Sequence, residues 1–397
     1  MFSKVKEDLF YLSIILWPFI FVLNEIIGFP TVLMTLIFLF IGEFYLYINY
    51  RKRFYIINSL LLVGTLSQLI IVSTKLNFNN NLSDIAQLVK FSIRWCYLII
   101  LMYIFSIKEE IKKLKVFIKC KIDWLYKSAM VALLVEGISL CLKSSYEEVW
   151  GGTYFKSIFY NPHVNSYFLI VVMSAFMISF YYKKKNIISI PIIATLVLNL
   201  LTGARATGIL AIIIFIFFIT PYLLKNKAYI KIIIIAVIIG VFINCIFGFI
   251  NLMDIPLVKK TIEVLGDPSG ILNGRNYIWG NMYKYFINHF SFINLLFGVG
   301  LSQTMHINNS YIQQSLWAHN DLIETFIGGG LYCLSIYLGV FFNYIKNTKE
   351  YVLMTIIILI LFFNGLFVYS ELVVFIPIIT ILGQNIFNEI NSKEIRL

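Results

Sequence analysis

Three side chains in this sequence have the chemistry to hold an anion and move a proton. They are Arg205 in LTGARATG (201–208), Arg275 in GRNYIWGNMYKYF (274–286) and His319 in AHNDLIETFIGGGL (318–331). A guanidinium is a planar fork that matches phosphate oxygens bidentately. A neutral imidazole near pH 7 can accept a proton. Arg205 stands among glycines and alanines with no neighbouring carboxylate. An arginine at a helix centre costs about 2.5–3.5 kcal/mol to insert into a membrane, and less near the interface. Its partner must therefore be an anion, either a bound substrate or the phosphate of a surrounding lipid.

Arg275 opens a stretch in which Tyr277, Ile278, Met282, Tyr285, Phe286 and His289 recur at roughly helical spacing, with Trp279 and Tyr283 alongside. That pattern suits a helix lying on a membrane surface. Its aromatics serve as an interfacial belt, as stacking platforms for sugar rings, or as both. His319 is followed by Asn320, Asp321 and Glu324. Asp321 and Glu324 have the spacing of a capping box, so helix capping accounts for both carboxylates. A helix start beside His319 would favour the neutral imidazole. Trp279, Asn320 and His163, the last in NPHVNS (161–166), are the remaining candidate substrate contacts. Asn161 and Pro162 read as a helix start without any substrate.

These residues need a scaffold, and the composition says which kind. Of 397 residues, 60% are apolar and only 13% charged, about half the charge of a soluble domain. The chain reads as an all-α polytopic membrane protein. A helix needs roughly 20 apolar residues to cross a bilayer core of about 30 Å. Such runs occur near 9–28, 30–49, 55–74, 86–106, 124–143, 164–182, 187–203, 206–224, 229–252, 321–345, 352–370 and 371–388, which makes about twelve spans in one integral-membrane domain. Leu9 to Leu23 runs on without a small-residue cleavage site and reads as the first span, not as a signal peptide. With the N-terminus inside, 22 of the 32 basic residues fall on the cytoplasmic side, which places both termini there. The net charge of +12 thus reports orientation and implies no nucleic acid. Residues 108–127 read as one basic interfacial helix on that side. Residues 253–320 form a large extracytoplasmic loop before span ten, and Arg205, Arg275 and His319 all lie at that face.

Other chemistries find no support in the spacing. There is no HExxH, GxSxG or Walker A motif. The five cysteines are scattered without metal-ligand spacing, so no metal or cofactor is expected. Asp254, Glu263, Asp267 and Asp321 offer no distinctive pair for glycosidase chemistry. Arg94 and Glu136 fall at similar depth in spans four and five and are expected to pair. Glu43 has no assigned role.

The ordered set of arginine turn, GR-x-x-x-W segment, G-x-G and AHN before a glycine-rich helix resembles the O-antigen ligase/O-antigen polymerase family of bacterial membrane glycosyltransferases. Its specific part covers 201–331. Ala204 departs from it, standing where the family more often has serine. The resemblance implies a C-type glycosyltransferase-like architecture whose large outer loop holds the active site, and substrates carried on undecaprenyl diphosphate. Arg205 and Arg275 would then bind the diphosphate and His319 would be the base.

The expected activity is polymerisation of lipid-linked oligosaccharide repeat units into O-antigen, capsular polysaccharide or exopolysaccharide. It would take place at the outer face of the bacterial cytoplasmic membrane, by a single inverting displacement. Implied partners are the lipid-linked donor and acceptor, membrane lipid, and a chain-length regulator and flippase of the same pathway. Two alternatives stand beside it: ligase-type transfer to lipid A-core or another acceptor, and a flippase or transporter. Carriers usually place their ionisable residues at the bilayer midplane, whereas here they cluster at one face.

Overall fold

The computed structural model describes residues 2–75, 81–149, 152–183, 189–225, 275–313, 315–348 and 376–384, with four single positions, 365, 369, 373 and 374, before the last of these. The apolar runs become helices because lipid offers backbone N–H and C=O groups no other partner. In chain order they are α1 (Phe2–Ile15), α2 (Trp17–Ile27), α3 (Thr31–Asn49), α4 (Arg51–Lys75), α5 (Asn81–Phe105), α6 (Lys108–Cys120) and α7 (Ile122–Ser139). A short hairpin follows, β1 (Tyr146–Val149) paired antiparallel with β2 (Gly152–Phe155). Then come α8 (Pro162–Lys183), α9 (Ile190–Leu201), α10 (Arg205–Lys225), α11 (Arg275–His289), α12 (Phe292–Phe297), α13 (Gln303–Ile312) and α14 (Asp321–Thr348).

Five helices among the described residues are long and apolar enough to cross a membrane: Thr31–Asn49, Arg51–Thr74, Asp84–Phe105, Pro162–Lys183 and Asp321–Thr348. Asp8–Ile15 with Trp17–Ile27 makes a sixth if that broken pair is one span. The twelve expected spans are thus met in part. Run 229–252 lies outside the described residues, and 352–370 and 371–388 are described only at some positions. Helix α9 has 12 residues, about 18 Å. Helix α7 carries Asp123, Lys127 and Glu136 within 18 residues.

Two further expected helices are divided. The basic stretch 108–127 breaks at Lys121, whose φ of −113° is not helical, so its last residues open α7. Span ten, expected as one helix over 321–345, is broken at Gly330, where φ is 66° and ψ −169°. Tyr337 Oη nevertheless donates to Asp321 Oδ2 at 3.0 Å, although the two are 16 residues apart. In a straight helix that separation would be about 24 Å. Helix α14 therefore folds back at Gly330 into a short limb, 321–329, and a long limb, 331–348. The long limb, about 27 Å, is nearly a span by itself.

The contacts divide the chain into two compact units. The first comprises Met1–Ile14, Gly28–Leu114 and Ser269–Ile376. In it α3, α4, α5 and α14 pack on one another, and α11, α12 and α13 pack on α14. Buried Glu110, in the first turn of α6, ties three helices together. It accepts from Tyr11 at 2.6 Å, Tyr45 at 2.5 Å and Tyr50 at 2.5 Å, and pairs with Lys113 at 3.0 Å. Burial, then the Glu110 hydrogen bond and charge, push the Tyr50 phenol above its usual range, which keeps it a donor. Glu110→Ala is expected to lower stability by about 3–5 kcal/mol, because three hydroxyls lose a charged acceptor. Exposed Glu109→Ala should change it by less than about 0.5 kcal/mol, and thermal unfolding in detergent separates the two. Glu43 finds its role here, accepting from Asn58 Nδ2 across α3 and α4 at 2.6 Å.

The second unit comprises Ile15–Ile27, Lys115–Pro268 and Pro377–Leu397. Helix α8 is its core and packs against α2, α7, α9 and α10. Phe21 stacks on Phe159 at 5.3 Å, with Phe168 at 5.0 Å from Phe159. Arg94 and Glu136, expected to pair, are both buried and belong to different units. Ser157 and Asn165 lie beside the Glu136 carboxyl group.

Candidate functional site

In the first unit, three helices converge on the backbone just before His319. Trp279 Nε1, on α11, donates to Ala318 O at 2.8 Å. Ala318 N donates to Glu324 Oε2 on α14 at 2.9 Å, and Thr304 Oγ1 on α13 donates to Oε1 of the same carboxylate. Asn308 Nδ2, also on α13, holds Leu316 O at 2.7 Å and is backed by Asn281 of α11 at 3.4 Å. Ala318 is thus gripped on both sides of its peptide and is fully buried. His319 itself has φ 52°, the left-handed region where histidine is tolerated better than most residues. Such a conformation persists only where the surroundings over-determine it, and the clamp on Ala318 does so.

The start of α14 is not the expected capping box. Asn320 is the cap, its Oδ1 accepting from Leu322 N at 2.9 Å and Ile323 N at 3.2 Å. That leaves Glu324 to turn back to Ala318 and Asp321 to bond Tyr337. Both carboxylates are buried, which a solvent-facing capping box would not require. Trp317 packs on Phe91 of α5 with ring centroids 5.7 Å apart, and lies 6.4 Å from the His319 ring. Phe91 is about 10 Å along α5 from Asp84, and Asp84 meets His306 of α13 at 3.1 Å. The His319 segment is thus recessed below the end of α5 that carries Asp84. Its non-helical backbone is buried in protein at Ala318 and Asn320.

What carries this segment is a glycine interlock. The FGVG segment lies along the end of the short limb of α14, with Val299 N donating to Ile327 O at 3.0 Å and Gly300 N to Gly328 O at 2.8 Å. These carbonyls are available because the helix stops at Gly330. A Cβ on Gly298 would fall 2.1 Å from Gly328 O, and one on Gly328 would fall 2.7 Å from Leu301 Cα. Gly298 also has φ 75° and Gly330 φ 66°, so both steric room and backbone conformation call for glycine. On the other side, Gln68 of α4 donates to Phe297 O.

Arg275 is the first residue of α11, one turn before Trp279 and on the same face. The structure therefore brings Trp279, Asn320 and His319 together, with Arg275 on the face that meets them. Arg205 and His163 belong to the second unit and share one end of it. Arg205 opens α10 after a turn with Gly203 at φ 66°. Asn161 Oδ1 accepts from Val164 N at 2.9 Å, capping α8 as its sequence implies. Thr207 Oγ1 donates to Ser166 Oγ at 2.9 Å, and Asn199 Nδ2 donates to Ser166 O at 2.5 Å, joining the first turns of α8 and α10. Tyr154 of β2 lies near Arg205. Residues 253–274, with Asp254, Glu263 and Asp267, lie outside the described residues.

The sequence did not single out Thr304, Asn308 or Ala318. Nothing local marks them, since each acts through a partner 6 to 20 residues away. Among the described residues, no cluster of three or more histidine, cysteine, aspartate or glutamate side chains is arranged to hold a metal ion. Comparison with protein-family models and with curated proteins finds no match for this chain.

Proposed function

We propose that this protein is an inverting membrane glycosyltransferase that polymerises oligosaccharide repeat units carried on a polyprenyl diphosphate. The observation that supports this best is the rigid clamp that sets His319 just before the short limb of α14, beside the face of α11 that bears Arg275. A sugar diphosphate is a good leaving group, so its departing charge must be stabilised more than protonated. Arg275 is suited to that role, a preorganised donor contributing about 2.7–4 kcal/mol in a water-poor site. His319 takes the proton from the acceptor hydroxyl as the oxygen attacks the anomeric carbon. The C–O bond to the diphosphate breaks on the opposite face and the configuration inverts. Asn320 fixes the helix start behind the base, and Trp279 holds the peptide before it while offering its ring to a sugar.

This reading places the site at the outer leaflet of the bacterial cytoplasmic membrane, with both termini inside. The ligase reading uses the same donor and differs only in acceptor. His319→Gln is expected to lower transfer by about 10²–10⁴-fold, the usual contribution of a general base. In the parent protein, activity falls as pH drops, because protonation removes the base. The rate–pH profile of both proteins is the check, and an unchanged profile in His319→Gln would remove His319 from the mechanism.

A further inference from the structure

The first unit carries two adjoining cavities of opposite character, and together they match one lipid molecule. The larger, of about 470 Å³, is an apolar groove between α4, α5 and the long limb of α14, and its lining includes Ile56, Leu60, Tyr103, Tyr332, Gly339 and Asn343. The smaller, of about 270 Å³, is polar, lined by Arg53, Ser106, Lys108, Glu109, Asn343 and Asn347 among others. Tyr103 and Asn343 line both, so the groove and the polar pocket adjoin. Between Tyr332 and Asn343 the groove runs along α14 for about 16 Å, half of a bilayer core of about 30 Å. That is the depth of one leaflet. Its far end is closed by Tyr332 Oη, which donates to Leu60 O at 3.1 Å.

The polar pocket is built rather than incidental. Asn343 Nδ2 donates to Ser106 Oγ at 2.9 Å, and Asn347 Nδ2 to Ser106 O at 2.7 Å. The Arg53 guanidinium is stationed 5.6 Å above the Tyr50 ring, and Tyr50 is itself fixed on Glu110. Two cations against one carboxylate leave the lining positive, and Arg51, Lys52, Lys112 and Lys113 are close in sequence. Such clusters at a helix end attract anionic lipid.

We propose that these cavities hold one anionic glycerophospholipid, phosphatidylglycerol being the expected occupant. Arg53 and Lys108 take its phosphate, Asn347 and Glu109 take its headgroup hydroxyls, and an acyl chain fills the groove as far as Tyr332. The proposal needs the membrane setting but not the transfer reaction. Its test is a binding measurement that stands whatever the catalytic assay gives.

The test is native mass spectrometry of the full-length protein released from liposomes of phosphatidylethanolamine and phosphatidylglycerol. One phosphatidylglycerol should be retained in preference to phosphatidylethanolamine. Arg53→Gln and Lys108→Gln should each weaken that retention about fivefold, the factor equal to about 1 kcal/mol per basic residue near an anionic surface. Exposed Lys119→Gln, on the same helix as Lys108 but outside the pocket lining, should leave it unchanged. A Cβ on Gly339 meets nothing within 4 Å, so Gly339→Phe can enter the groove and should abolish retention without altering the basic residues. Equal retention of the two lipids would overturn the proposal. So would an effect of Lys119→Gln as large as that of Lys108→Gln, or undiminished retention by a folded Gly339→Phe.

Discussion

Gly328→Ala is expected to uncouple helices α11 to α13 from α14 and to abolish activity. The added carbon would meet Leu301 Cα at 2.7 Å and Gly300 O at 3.0 Å. These are backbone atoms, so no rotamer change relieves the clash. Overpacking of this kind costs about 1–3 kcal/mol or more. The displaced FGVG segment also weakens its bonds to Ile327 O and Gly328 O, each worth about 0.5–1.5 kcal/mol net. The expected loss of stability is therefore about 2–6 kcal/mol. Gly298→Ala should be at least as severe, since its φ of 75° adds backbone strain to a contact of 2.1 Å. Gly137 in α7 is the control: a Cβ there meets nothing within 4 Å, and Gly137→Ala should stabilise by about 0.5–1 kcal/mol. Thermal unfolding of the purified variants, with limited proteolysis of residues 290–303, distinguishes them. Parent-like unfolding of Gly328→Ala would show that the two segments do not meet as described.

Glu324→Ala should lower transfer about 10²-fold while leaving most of the fold intact. It removes the acceptor of both Ala318 N and Thr304 Oγ1, and a buried donor without an acceptor costs about 1–3 kcal/mol. The larger effect is on geometry. Released from α14, the 317–319 segment can leave the left-handed conformation at His319, and a misplacement of about 1 Å can cost about 10²-fold in rate. Trp279→Phe breaks only the opposite side of the clamp and should cost less. Because Glu324 acts through Ala318 and not on the substrate, it is a positioning residue. Its loss should lower kcat with little change in KM, whereas loss of an arginine that holds the diphosphate should raise KM as well. Steady-state kinetics of the two variants separate those roles.

Much of this arrangement was legible in the chain. The apolar runs fixed the helical class, the aromatic spacing located α11, and the polar cluster after His319 marked the start of α14. The errors have physical causes. Asp321 and Glu324 have capping spacing, but spacing does not reveal that the preceding Asn320 can cap instead, which frees both carboxylates for burial. Hydropathy reads through Gly328, Gly329 and Gly330 because glycine breaks no apolar run, yet Gly330 turns the helix back on itself. The strands YEEV and GTYF are too short to show an alternating pattern, so the hairpin was not expected. Lys121 lies in a uniformly basic stretch in which nothing local signals a helix end. The interlock of FGVG with the GGG segment pairs residues about 30 positions apart, and their complementarity exists only in three dimensions.

The most direct test of the proposed function is transfer by the purified protein in nanodiscs, with its lipid-linked repeat unit as the sole substrate and products resolved by mass. Polymerisation predicts ladders of increasing length that disappear in Arg275→Ala. Absence of ladders, with product formed only on adding a different acceptor, would contradict the polymerase and make the protein a ligase. Inertness in both assays with lipid crossing the bilayer would contradict transfer chemistry altogether.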